Sequence, residues 1–207
     1  MLIAFEGIEG SGKSTQAELL NNYLVSKGHT VVRTREPGGS PLGEALRKVL
    51  LQRDMNIFPF SELLVFMAMR AQHVDEVILP ALQEQKIVLC DRFVDATYAY
   101  QGYGRSIDLG IIETLNRLVT KGIRPNLTIL LDVDVETGLT RKALHATMDR
   151  FEKEALSFHQ KIRDAYLKLS KEDPGRFLVV NGGLEQSAIQ DIIRQKVETL
   201  INNYGIR

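Results

Sequence analysis

Five short blocks of apolar and β-branched residues punctuate the chain, and after each one the apolar positions change their spacing to every third or fourth residue. The blocks are Leu2-Ile3-Ala4-Phe5, His29 to Thr34, Lys86 to Cys90, Leu127 to Val133 and Phe177 to Val180. Runs this short read as buried strands, whereas spacing near 3.6 reads as a helix with one face toward a core. That spacing predicts helices over Thr15 to Val25, Pro41 to Leu51, Ser61 to about Glu84, Asp95 to Gln101, Ile107 to Thr120, Val135 to Leu144, about Phe151 to Lys171, and Glu185 to Asn202. Glu36-Pro37-Gly38-Gly39 is expected to turn the chain after the second strand, and Gly102-Tyr103-Gly104 to break the helical run around it. Alternating strands and helices imply an α/β fold: a five-stranded parallel sheet with right-handed crossovers, helices on both faces, and ligands at the carboxyl ends of the strands. No repeat or linker divides the chain, so residues 1–207 are expected to form a single domain.

The first strand-to-helix junction reads Gly7-Ile8-Glu9-Gly10-Ser11-Gly12-Lys13-Ser14, followed by Thr15. It matches G-x-x-x-x-G-K-[ST], in which glycines let the backbone curl so that successive N–H groups face an anion. The helix start adds partial positive charge, Lys13 can span β- and γ-phosphates, and the Ser14 hydroxyl suits Mg²⁺. This P-loop signature sets the ATP-binding expectation over Gly7 to Thr15; the plainer alternative is a glycine turn before a helix. Asp91 ends a buried strand, where a second acid can help hold the metal, unless it is an ordinary strand-end Asp. Arg92 beside it suits an acceptor phosphate, because a guanidinium forks onto two oxygens. Phe66 and Arg70 lie four apart, as do Thr97 and Gln101 with Tyr100 between them. Each set shares a helix face, which fits stacking and edge contacts to a nucleobase as well as it fits plain core packing.

Charge and composition narrow the class. Twenty-six Lys and Arg balance 26 Asp and Glu, so no global field favours nucleic acid or an anionic membrane. The lone cysteine, Cys90, ends an apolar strand and fits a small buried hydrophobe in a reducing compartment. No apolar run approaches the ~18 residues of a membrane span. The expectation is a cytoplasmic protein without nucleic-acid or membrane partners.

Gly7 to Thr15, Thr34-Arg35-Glu36-Pro37-Gly38-Gly39, Asp91-Arg92-Phe93, Ala99-Tyr100-Gln101-Gly102 and Pro125-Asn126-Leu127-Thr128 occur in the order and at the spacings of one family. Across nearly its whole length the chain resembles the bacterial thymidylate kinases, P-loop nucleoside monophosphate kinases with a short mobile lid that are usually homodimers. The resemblance implies transfer of the γ-phosphoryl of ATP to dTMP with Mg²⁺, in dTTP synthesis. It implies that Phe66 stacks on thymine, Arg70 donates to the O4 edge, Thr97 and Gln101 reach the N3 side, and Tyr100 crowds the 2′ position. Arg35 and Arg92 would hold the thymidylate phosphate, Glu9 would lie near the 3′-hydroxyl and Lys13, and Glu36 and Arg47 would support the acceptor pocket. Ser14 and Asp91 would hold the metal. No general base is called for, because the second ionisation of a phosphate monoester near pH 6 leaves a dianion at neutral pH.

One departure concerns the lid, about residues 141–151. Relatives without an arginine in the P-loop commonly carry an arginine cluster there, but this chain reads Arg141-Lys142-Ala143-Leu144-His145-Ala146-Thr147-Met148-Asp149-Arg150. Ala143 and His145 stand at positions often arginine, so the transition-state cation is expected to be Arg150, with Arg141 and Lys142 assisting, rather than His145. The bland counterpart is a solvated Arg150 paired with Asp149 or Glu154. Arg141 and the loop at Asn181-Gly182-Gly183 are also the candidates for covering adenine. Asn126 replaces a usual Asp. A kinase for another pyrimidine nucleotide or nucleoside is the alternative among enzymes. A GTPase-type switch is disfavoured, since the sequence has neither N-K-x-D nor D-x-x-G.

Overall fold

The computed structural model describes residues 1–143, 150–151 and 153–204. The five blocks form β1 (Leu2–Glu6), β2 (Val31–Arg35), β3 (Ile87–Asp91), β4 (Leu127–Asp132) and β5 (Phe177–Asn181). They pair in parallel in the order β2-β3-β1-β4-β5. Period-two alternation sends Ile3, Phe5, Leu89 and Ile129 to one face, where they pack on α1 (Lys13–Ser26) and α9 (Gln186–Tyr204) through Leu20, Leu24, Ile193 and Val197. Leu2, Ala4, Val88 and Cys90 go to the other face, against Val74, Ile78 and Ala81. A further cluster on α8 (Leu156–Glu172), with Phe158, Ile162 and Tyr166, packs with Leu130 and Val133. Central β1 lies between β3 and β4, with Phe5 in register with Asp91. The glycine loop that follows β1 therefore emerges beside the acid that ends β3.

Helices α2 (Pro41–Leu50), α6 (Leu109–Val119) and α7 (Val135–Ala143) fall where periodicity places them; Leu144, the expected end of α7, lies outside the described residues. Three expectations need correction. The long helix is α3 (Pro59–His73), a π-helical turn over Val74–Ile78, then α4 (Leu79–Gln83). Pro80 has no N–H for the carbonyl four residues back, and the widened turn, in which Leu79 N–H reaches the Val74 carbonyl, carries the helical path past it. Gly102 and Gly104 do not break the next helix: after α5 (Val94–Thr97) the chain stays helical, in π form, over Tyr98–Gly104. These glycines serve packing, since a Cβ would come 2.6 Å from Leu109 Cδ2 at Gly102 and 2.8 Å from the Phe158 ring at Gly104. Finally, α8 starts at Leu156 rather than near Phe151. Phe151 sits in a turn, where its buried ring packs on Phe66 and Tyr100.

Candidate active site

The carboxyl ends of β1, β2 and β3 open into one cavity of about 760 Å³. Gly7 to Gly12 connects β1 to α1, whose first-turn N–H groups have no side-chain cap and stay open to an anion. The loop lies flush on α7: Gly10 has φ +69°, and a Cβ there would stand 1.8 Å from the Gly138 carbonyl oxygen. Lys13 folds back across the loop, its Nζ donating to the Ile8 carbonyl at 2.7 Å and to Ser11 Oγ at 3.3 Å. Burial and the nearby Arg92 guanidinium lower its pKa to about 8, against the pull of Asp91, Glu9 and Glu6. The next residue, Ser14, donates its hydroxyl to Asp91 Oδ2 at 2.5 Å, which joins the two candidate metal ligands.

Arg92 takes a left-handed backbone at φ +67°, a conformation costing about 1–3 kcal/mol in a non-glycine residue. Its Nη2 donates to Glu9 Oε1 at 3.0 Å, its Nη1 to the Tyr166 hydroxyl at 3.3 Å, and the guanidinium lies 4.9 Å from the Tyr100 ring centre. Glu9 Oε1 also accepts from the Tyr100 hydroxyl at 2.6 Å, and Oε2 lies 3.4 Å from His159 Nδ1. Burial alone would raise the Glu9 pKa, but Arg92, His159, Lys13 and Tyr100 outweigh it and hold the carboxyl well below the usual range. Below them, Glu6 accepts from Tyr166 at 2.6 Å and from the Phe93 amide at 2.8 Å. Burial and Asp95 raise its pKa to about 7 against the opposing pull of Arg92.

On the β2 side, Arg35, Glu36 and Arg47 line the cavity. Arg35 pairs with Glu44 at 3.0 Å, and Arg47 donates to the Pro37 carbonyl. Glu36 is buried and binds Arg70 through Oε2 at 2.7 Å and His73 Nδ1 through Oε1 at 3.0 Å. At the far wall, Phe66, Thr97, Tyr100 and Gln101 face the cavity as their spacing suggests.

Arg70 does not join them. It is 1% exposed and lies behind the wall. Nε donates to Glu36, Nη1 to Thr97 and Asn116, and Nη2 to the Phe93 carbonyl, with Nη2 also 2.7 Å from Glu36 Oε2. Arg150 is likewise held away from the cavity: it donates from Nε to the Leu50 carbonyl at 3.0 Å and pairs with Glu62 at 2.8 Å rather than with Glu154. Glu154 pairs instead with Arg105. Arg141 and Lys142 do line the cavity, and Arg141 donates to the Gly182 carbonyl at 2.8 Å. His145 lies outside the described residues, as does Asp149.

Sequence spacing missed Glu6, Glu62, His73, His159 and Tyr166. Glu62 was findable, because it is four residues before Phe66 and eight before Arg70 on the same helix face. His159 and Tyr166 are two turns apart on α8, and nothing in their own neighbourhood points to the loop after β1. Among the described residues no group of three His, Cys, Asp or Glu is placed to hold a metal ion. An ion at Ser14 and Asp91 would complete its shell with triphosphate and water oxygens.

The thymidylate kinase family profile matches residues 5–193. The chain is 51% identical over 187 residues to a thymidylate kinase of Geotalea uraniireducens, covering 87% of this chain and 88% of that protein. It is 46% identical over 205 residues to one from Kosmotoga olearia, covering 99% of each. Among solved structures it is similar to the thymidylate kinase of Ehrlichia chaffeensis, at 37% identity and a TM-score of 0.78, covering 95% of this chain and 98% of that one.

Proposed function

The chain belongs to the thymidylate kinase family, and we propose a division of labour among its residues for the reaction that this membership assigns, phosphorylation of dTMP to dTDP by ATP. The observation that supports it is the continuity of one cavity from the glycine loop, past Arg92, to the wall of Phe66, Thr97 and Gln101. ATP phosphates take the N–H groups of residues 7–15 and Lys13. The thymidylate phosphate takes Arg92 and Arg35, with Arg47 and Glu36 shaping its pocket. Ser14 and Asp91 are hard oxygen donors already in contact, and they suit Mg²⁺, which would neutralise charge between the β- and γ-phosphates.

The two substrates are polyanions and the acceptor is itself the nucleophile, so the protein's task is positioning and charge neutralisation rather than proton abstraction. Glu9 stays ionised and holds Arg92 by a charge-assisted bond, and with Tyr100 it forms the surface beneath the sugar, where Tyr100 disfavours a 2′-hydroxyl. Phe66 stacks on the base. Lys13, Arg92, Arg141 and Lys142, all of which line the cavity, are the cations we assign to the transferring phosphoryl. Arg150, held by Glu62, acts on the base pocket instead. Residues 1–207 form one kinase domain in which about 141–151 serve as the lid, and Arg141 with the Gly182 loop covers adenine.

A homodimer is proposed on the face of α3 and α6, which pack together through Leu63, Met67 and Ile112. Exposed Phe60, Leu64, Ile111 and Leu118 on these helices would be buried against a second copy, and sedimentation at micromolar concentration tests it. A cytoplasmic location is part of the same proposal. ADP release measured with ATP and a panel of dTMP, dUMP, dCMP, UMP and thymidine tests the whole assignment; turnover highest with an acceptor other than dTMP would overturn it.

A further inference from the structure

We propose that His159, buried near the start of α8, is a positioning residue for phosphoryl transfer: it donates from Nδ1 to Glu9 Oε2 and so fixes the plane of the carboxylate that aims Arg92 at the acceptor phosphate. The inference rests on the dTMP assignment above and deepens it, since that assignment leaves His159 without a task.

Glu9 reaches Arg92 through one oxygen. Its Oε1 accepts from Arg92 Nη2 at 3.0 Å and from the Tyr100 hydroxyl at 2.6 Å. The last torsion of a glutamate is broad and roughly two-fold, so contacts at Oε1 alone leave the carboxylate plane weakly set. The lone pairs that meet the guanidinium lie near that plane. Oε2 is where the plane can be fixed, and His159 Nδ1 lies 3.4 Å from it. Neither atom has a hydrogen-bond partner elsewhere among the described residues. An ionised carboxylate only accepts, which assigns a proton to Nδ1.

The helix holds the ring in place for this contact. His159 is 0% exposed, and the neighbouring Phe158 meets the Tyr100 ring edge-on, with Arg105 4.5 Å from its own ring centre. Two turns later on the same helix face, Tyr166 donates to Glu6 Oε2 at 2.6 Å and accepts from Arg92 Nη1 at 3.3 Å. Thus α8 reaches Arg92 twice, directly through Tyr166 and through Glu9 from His159. Packing alone does not call for a histidine, because leucine would fill the place without burying two ring nitrogens that lack partners among the described residues. Glu9 belongs to the loop assigned to ATP and Arg92 to the acceptor phosphate, so a carboxylate free to turn would misalign the two reacting groups. Such misalignment costs rate rather than binding.

The test is steady-state kinetics on wild type, His159→Asn and His159→Leu, with ATP and dTMP each varied. Asparagine and leucine have nearly the same shape, but the asparagine amide can place an N–H close to the position of Nδ1, so the pair differs in the donor. His159→Leu should lower kcat at least about tenfold while both KM values stay within about threefold, and His159→Asn should recover most of that loss. Equal kcat in the two variants would show a packing role and overturn the inference. In a Glu9→Ala background the two substitutions should give equal rates, because the donor has nothing left to hold; a difference that persists there also overturns it. Should either variant fail to fold by circular dichroism, long-range ¹⁵N–¹H correlation of the His159 ring in wild type decides: a proton on Nδ1 supports the inference, and a bare Nδ1 overturns it. Wild type that does not phosphorylate dTMP refutes the functional assignment itself, whereas active wild type with equal Asn and Leu variants refutes only the role of His159.

Discussion

Replacing Arg70 by Ala should be felt first as a loss of stability. The guanidinium is 1% exposed, and its removal leaves Glu36, 6% exposed, with His73 alone, while Thr97, Asn116 and the Phe93 carbonyl each lose a donor. Breaking a buried ion pair from one side costs ~3–5 kcal/mol. At ~2–4 °C per kcal/mol for a chain of this size, the melting temperature should fall by about 6–20 °C. The deficit depends on pH. Burial acts to raise the Glu36 pKa, but Arg70 and His73 hold it below its ordinary 4.5, so the pair stabilises the fold above that value and the benefit is lost as pH falls through the lower folded value. The gap between wild type and Arg70→Ala, read by differential scanning calorimetry, should therefore be widest near neutral pH and narrow below pH 4.5. Adding Glu36→Gln should recover part of it at neutral pH. A variant that melts within about 2 °C of wild type and loses only dTMP affinity would show that Arg70 is a ligand-facing residue after all.

Lys13→Ala should remove most turnover while the melting temperature holds, because a cation kept at a pKa of about 8 by burial gives the fold little. In wild type, kcat/KM for ATP should decline above pH 8 as Lys13 loses its proton, and a flat profile to pH 10 would contradict that role. Glu6 carries the opposite linkage to Glu36: its pKa rises from 4.5 to about 7, so wild type loses stability across that window, and Glu6→Gln should gain on it by ~3 kcal/mol between the two values in pH-resolved denaturation. Arg150→Ala should raise KM for dTMP with less than about a tenfold change in kcat; a fall near ~10³ in kcat, the scale of a transition-state arginine, would return Arg150 to the phosphates.

Much of this was legible from spacing. The five strands, their parallel pairing and the glycine loop after the first of them follow from local patterns, whereas the strand order that brings Asp91 to Ser14 is set by sheet topology. What spacing could not separate is the two faces of a helical wall. Phe66 and Arg70 share a helix face, yet Phe66 borders the cavity and Arg70 lies behind it, because Glu36, Asn116 and the Phe93 carbonyl, on three other segments, converge there. Spacing is equally silent on the pairing of Arg150, whose partner Glu62 is 88 residues away. Gly102 and Gly104 read locally as a break, while their cause is the nearness of Leu109 and Phe158.

The central claim is that both nucleotides share one cavity so that the γ-phosphoryl passes directly from ATP to dTMP. A single molecule joining adenosine to thymidine through five phosphates tests it, because covalent linkage turns the second binding event into an intramolecular one. Titrated against wild type, it should compete with both ATP and dTMP and bind at least about a hundredfold tighter than either alone. Competition with only one of them, or affinity no better than that one, would contradict a shared site.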